Sequence, residues 1–318
     1  MARFMTKVRL PNSTSLPKAL WLLLWVLAVF AQPANTTSPT GTTAPPLPTQ
    51  VAYKQAELVS SDRYLFEVEV MILALEKTLE DDGPYELQPI HPMNRARNLL
   101  ALSQDTYPNL VMLLSYEDSL LDDGNLIYIP IPLDRGIFSY RLCFMRDEIK
   151  PRMQGIKTLK QLKGFHFGSG VGWADTKILR HNGLTTLEAD TLLSLFRMTK
   201  AGRIDLFCRG VGEYYSELTQ QGQTIDLSAD DEIALYYPLP KFLFAHKNSK
   251  ALMDRIQRGL KRALDDGSFD QLWKHEHEQH LQQAHLKTRR LIILENPLIR
   301  KLPPDYQRYD INPMENPP

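Results

Sequence analysis

Apolar positions along the chain change their spacing in a regular order. From Asp62 to Leu79 they fall at Leu65, Val68, Ile72, Leu75 and Leu79, one face of a helix. Gly83-Pro84 ends it, and Tyr85 to Ile90 reads as a short strand. Arg95 to Leu102 is helical. Leu110-Val111-Met112-Leu113-Leu114 is continuously apolar, which suits a strand covered on both faces. Ile127 to Ile131 is another strand, stopped by Pro130 and Pro132. A second series follows: strand Phe138 to Met145, short helix Lys157 to Lys163, and strand Phe165 to Phe167 entering Gly168-Ser169-Gly170-Val171-Gly172. Then come helix Trp173 to His181, helix Thr191 to Ala201, strand Ile204 to Cys208 and helix Val211 to Thr219. Ile233 to Ala245, with Pro238 and Pro240 inside it, reads as a long connector. Two helices close the order. Ser249 is placed to cap the first, which carries Leu252, Ile256, Leu260 and Leu264 and stops at Gly267; Ser268 is placed to cap the second, which buries Phe269, Leu272 and Trp273. Leu291 to Leu294 is a last strand, and the Pro-rich segment from Asn296 is expected to lie extended on the surface.

Strands alternating with helices predict an α/β fold with helices on both sheet faces. The order also predicts two lobes joined by two crossings. Residues 51–133 begin lobe one, 134–238 form lobe two, 239–295 complete lobe one, and 296–318 are the tail. Such a pair has a hinge, and the cleft between its lobes is the expected ligand site.

Composition changes this picture mainly at the N-terminus. Basic residues precede a 12-residue apolar run, Ala19 to Phe30, and Val29 and Ala31 occupy the −3 and −1 positions of a cleavage site. That is the pattern of a secretory signal peptide, residues 1–31, and the run is shorter than the roughly 20 residues that span a bilayer as a helix. Export to a periplasm is expected, without lipid attachment, since no Cys follows the run. Residues 32–50 are almost all Thr, Pro, Ala, Ser and Gly and read as a disordered linker. Removing the first 31 residues leaves 33 basic against 37 acidic residues, a net −4, which argues against a nucleic-acid partner. Cys143 and Cys208 both stand in apolar strand-like runs. They suit buried thiols, and an oxidising compartment also permits a disulfide.

Five stretches in this order resemble the bacterial extracellular solute-binding proteins of family 3, which have the type II periplasmic-binding fold. They are Ile129-Pro130-Ile131-Pro132, Ser139-Tyr140-Arg141-Leu142, Leu159 to Gly164 running into Phe167-Gly168-Ser169-Gly170, Ala201-Gly202-Arg203-Ile204-Asp205, and Gly259-Leu260 to Asp265-Asp266-Gly267-Ser268-Phe269. The resemblance covers roughly residues 51–295. It implies a monomer that captures a small solute, often an amino acid, for an ABC permease or a membrane sensor, with no cofactor and no catalysis. Two stretches depart from the amino-acid clamp of that family. Ser115-Tyr116-Glu117-Asp118-Ser119 lacks the expected Arg, and Arg209-Gly210 stand where an Asp is usual.

Several residues could carry the chemistry of capture. The glycines around Ser169 and Gly170 let backbone N–H groups converge before a helix, which suits an anion. Trp173 could stack on a ligand or a cation, or pack between lobes. Arg209 offers a bidentate grip on a carboxylate, or a salt bridge to Glu213. Arg141 and Arg135, weaker candidates, follow the first crossing; Tyr116, Tyr214 and Tyr237 could line the cleft or the core. Lys274 to His280 contains three His, but four residues on from His275 stands Gln279, and from His277 stands Leu281. The zinc-protease spacing is therefore not met, and a solvated helix face is expected there.

Overall fold

A computed structural model describes residues 47–55, 65–219 and 225–314. The signal peptide and most of the linker read from the sequence lie outside the described residues. Within them two sheets are built. The first holds β1 (Thr49–Lys54), β2 (Tyr85–Ile90), β3 (Leu110–Ser115), β4 (Leu126–Tyr128) and β11 (Lys241–His246), in the order β2-β1-β3-β11-β4. β1 is parallel to β2 and β3, whereas β11 is antiparallel to β3 and β4. The second holds β5 (Tyr140–Met145), β6 (His166–Gly170), β7 (Thr185–Ala189), β8 (Leu206–Gly210), β10 (Ile233–Tyr236) and β12 (Arg290–Ile293), in the order β12-β10-β5-β8-β6-β7; β9 (Ser228–Ala229) pairs with β5. The fold is α/β and two-lobed, one sheet to each lobe, as the sequence predicts.

Helices cover both sheets. α1 (Phe66–Glu76) and α2 (Arg95–Ser103) belong with the first; α3 (Ala174–His181), α4 (Leu192–Lys200) and α5 (Val211–Glu217) belong with the second; α6 (Lys250–Asp265) and α7 (Ser268–Ala284) follow β11. α1 and α6 cross at Gly259, where a Cβ would stand 1.9 Å from the Ala74 carbonyl oxygen, so only glycine permits the approach. Phe144 stacks on Tyr214 at 4.3 Å and packs edge-on to Phe196 at 5.0 Å in the second lobe, while Tyr116, Tyr128, Phe242 and Phe244 cluster in the first. The two crossings run side by side: Tyr237 N–H donates to the Ser139 carbonyl at 3.1 Å, and Leu239 N–H to Ser139 Oγ at 3.1 Å.

Several expectations change. The connector Ile233 to Ala245 is two strands, β10 and β11, in different sheets; Pro238 and Pro240, which lack N–H donors, mark the passage between them. β12, read with the returning first lobe, pairs instead with β10 of the second sheet in parallel register. Its apolar run fits either sheet, and pairing partners leave no trace in local spacing. β1 starts at Thr49, inside the stretch read as linker. The cap of α7 is Gly267 in the left-handed conformation rather than Ser268, whose hydroxyl donates to Asp266 at 2.6 Å. The tail is not laid loosely on the surface. The Leu298 carbonyl accepts from Asp118 N–H at 2.7 Å, Lys301 N–H donates to the Asp118 carboxylate at 3.1 Å, Tyr306 is buried against Phe242, and Ile311 N–H donates to the Arg135 carbonyl at 3.0 Å. Cys143 and Cys208 face each other across β5 and β8 and form a disulfide.

Candidate functional site

The second lobe supplies most of the site. β8 ends at Arg209-Gly210, and α5 starts at once, so Glu213 and Glu217 fall one and two turns on and face back to Arg209. Glu217 accepts from Arg209 Nε at 2.8 and 3.0 Å and from Nη2 at 2.7 Å; Glu213 Oε2 lies 3.0 Å from Nη2. The guanidinium plane rests 4.6 Å from the Trp173 ring. Trp173 reaches it by folding back over Gly170, where a Cβ would stand 2.2 Å from the indole. Arg141, on β5, is buried; its Nη2 lies 3.0 Å from Asp175 and its guanidinium 5.2 Å from the Tyr237 ring. Tyr237 O–H donates to the same Asp175 oxygen at 2.7 Å.

The first lobe meets this wall twice. Lys241, the first residue of β11, donates to Glu213 Oε1 at 2.9 Å and lies 3.8 Å over the Phe138 ring. Nearer α2, Arg95 Nη2 donates to Glu117 at 2.9 Å while its Nε donates to the Gly172 carbonyl of the second lobe at 2.9 Å; Lys177 of α3 donates to the other Glu117 oxygen at 2.5 Å. Glu117 thus ties α2 of the first lobe to α3 of the second.

Charge in the wall is matched. Arg141, Arg209 and Lys241 face Asp175, Glu213 and Glu217. Burial pushes the Glu213 carboxyl up, but Arg209, Lys241 and Arg141 together hold it down at about 2. Burial raises Glu217, against the pull of Arg209. Burial lowers the Arg209 guanidinium, and its two carboxylates more than reverse this, so it stays charged. Glu67, half-buried in the first turn of α1, is raised by burial and drawn down by Lys241 and Lys54. It lines a cavity of about 20 Å³ with Tyr53, Lys54 and Met71, room for one water-sized group.

Arg209, Trp173, Glu213, Arg141 and Tyr237, read as candidates from the sequence, come together here. Ser169 is buried and its Oγ accepts from Thr176 Oγ1 at 2.8 Å. The Val171 and Trp173 N–H groups donate to the Ala189 and Gly170 carbonyls, at 3.1 and 3.0 Å, so these loop donors serve the backbone. Tyr116 packs in the first lobe's aromatic cluster, 5.4 Å from Tyr128, where burial pushes its hydroxyl up to about 12. Arg135 pairs with Asp270 at 2.7 Å, and Tyr214 packs in the second lobe's core. His277 departs from the solvated face expected: it is 2% exposed, packed against Phe66 and Trp273, and burial holds its imidazole down at about 3, so it is neutral. Among the described residues no group of three or more His, Cys, Asp or Glu is placed to hold a metal. Glu217, Asp175, Lys241, Glu117, Lys177 and Arg95 were not singled out from the sequence. Glu217 carried a signal, the four-residue step from Glu213; Lys241 and Glu117 carried none, because their partners are distant in sequence.

No protein-family model and no curated protein matches the chain in sequence. Solved structures match its fold. An ancestral arginine-binding protein bound to arginine is 14% identical, with a TM-score of 0.53 over 72% of this chain and 97% of that one. The GluR0 ligand-binding core in complex with L-glutamate is 8% identical, TM-score 0.58, over 73% and 99%. A Salmonella typhimurium periplasmic binding protein of high arginine specificity is 14% identical, TM-score 0.55, over 72% and 99%. The architecture is that of the type II periplasmic binding proteins, the fold that the sequence resemblance implies.

Proposed function

We propose that this chain is an exported, periplasmic solute-binding protein that captures one small polar or anionic, amino-acid-like solute between its lobes and catalyses nothing. The observation that carries the reading is the position of Arg209. It stands at the end of a central strand, under an aromatic ring, in a wall to which both lobes contribute. A planar fork under an indole suits a carboxylate beside an apolar stem. The fold's solved relatives, bound to arginine or L-glutamate, support the solute class. In this reading the lobes part to admit the solute and close over it, as a hinged pair allows. Trp173, Arg209, Arg141, Glu213 and Tyr237 make the solute's surroundings, with Ser169 and Gly170 shaping the loop beneath Trp173. Delivery to an ABC permease by a monomer is the expected use.

A thermal-shift screen of the purified protein against amino acids, short peptides, small carboxylates and polyamines tests this. A bound solute stabilises by about 2.7 kcal/mol at a hundredfold excess over Kd. A hit that depends on Arg209 supports the reading; a complete screen without a hit, or a hit indifferent to Arg209→Met, overturns it.

A further inference from the structure

The Arg209 fork already holds a carboxylate. Glu217 approaches Nε with both oxygens, at 2.8 and 3.0 Å, and Nη2 with one, at 2.7 Å. This is the side-on bidentate arrangement in which an arginine receives a carboxylate from outside. Trp173 covers the guanidinium face. Glu213 does not need the fork for its own compensation, because it also receives Lys241 at 2.9 Å and lies 3.9 Å from Arg141. Glu217 differs: among the described residues its hydrogen bonds come from Arg209, and it stands at the last residue of α5, two turns from the strand end that carries the arginine. The side chains of Arg209 and Glu217 are 11% and 13% exposed, so the pair is shielded without being sealed from solvent.

Resting on the proposed capture of a solute at Arg209, we infer that Glu217 is a resident surrogate for the solute's carboxylate. It fills the subsite when no solute is present, keeps Arg209 compensated, and sets the class of solute admitted: a carboxylate able to take the whole fork in exchange. A solute without a carboxylate leaves Glu217 where it is. Apparent affinity is thereby the intrinsic affinity scaled by the fraction of molecules whose fork is free, and freeing the fork raises it.

Chemical rescue tests this without knowledge of the solute. Glu217→Ala strips the carboxylate and opens space beside Arg209. Its Tm falls in chloride buffer and rises again, saturably and by several degrees, in acetate or propionate at equal ionic strength. Wild type shows a much smaller response to the same anions. Glu217→Gln, whose amide fills the space, is not rescued, and Glu217→Ala with Arg209→Met loses the rescue. If Glu217→Ala does not fold in chloride, recovery on refolding in acetate is the readout; failure in both buffers overturns the inference, as does an acetate response equal to wild type or one that survives loss of Arg209. Absent rescue beside an Arg209-dependent hit in the wild-type screen leaves the capture reading standing and makes Glu217 a plain structural partner. Rescue without any wild-type hit does the reverse.

Discussion

Replacing Glu117 by Gln removes one charge from a point where three elements meet. The Glu117 side chain is 3% exposed and receives Arg95, 14% exposed, and Lys177, 52% exposed. The two pairs differ in kind. Removing one partner of a buried pair costs about 3–5 kcal/mol, because the remaining charge is left uncompensated. A half-exposed pair is worth about 0–1 kcal/mol, since water screens it and the lysine stem loses freedom. Glu117→Gln keeps one acceptor for Arg95, so the lower end of the first range applies, about 3 kcal/mol. Lys177→Met removes only the weaker pair. At about 2–4 °C per kcal/mol for a chain of roughly this size, Glu117→Gln lowers Tm by about 6–12 °C and Lys177→Met by less than about 4 °C. Differential scanning calorimetry at low ionic strength reads both. Equal losses, or no loss in Glu117→Gln, refute the reasoning, because burial would then not decide which pair matters.

Three further outcomes follow from the packing. Closing a loop of 65 residues, the Cys143–Cys208 bond contributes about 4 kcal/mol on the chain-entropy estimate, so reduction or the double Ser variant lowers Tm substantially; an unchanged melt under reductant counts against it. Gly259→Ala forces α1 and α6 apart at Ala74 and costs at least the roughly 1–3 kcal/mol of ordinary overpacking, read by urea denaturation; a neutral effect contradicts the close crossing. Burial holds the Asp134 carboxyl at about 6, above the roughly 3.9 of an unfolded chain. The folded state therefore binds that proton more tightly, and the stability it contributes is full below about pH 4 and lost as pH rises through about 6. Asp134→Asn flattens this fall in a pH series of melts, and an unaltered slope argues against the assignment.

Much of the architecture is legible in residue spacing, and the reasons are local. Leu110 to Leu114 is apolar throughout because β3 is central in its sheet. Pro130 and Pro132 cut β4 short because they cannot donate to a ladder. What spacing did not carry is pairing at a distance. β7, Thr185–Ala189, has a mixed sequence, and its place at a sheet edge rests on β6. His277 looks solvated among Lys274, His275 and Glu278, yet its ring turns inward against Phe66 from another helix. In the site, Trp173 and Arg209 were found because a glycine-rich turn and a strand end mark them. Their contact depends on Gly170 lacking a side chain, which is a fact of three dimensions. Lys241 meets Glu213 only because the chain returns past Pro238 and Pro240 to the first sheet at that point.

Isothermal titration of the best-stabilising solute into wild type and Arg209→Met bears most directly on the claim that a small molecule is held between the lobes. One solute per chain, with at least a tenfold rise in Kd on loss of the guanidinium (about 1.4 kcal/mol), is the expected result. Identical isotherms for the two proteins, or a stoichiometry unrelated to a single interlobe site, would contradict it.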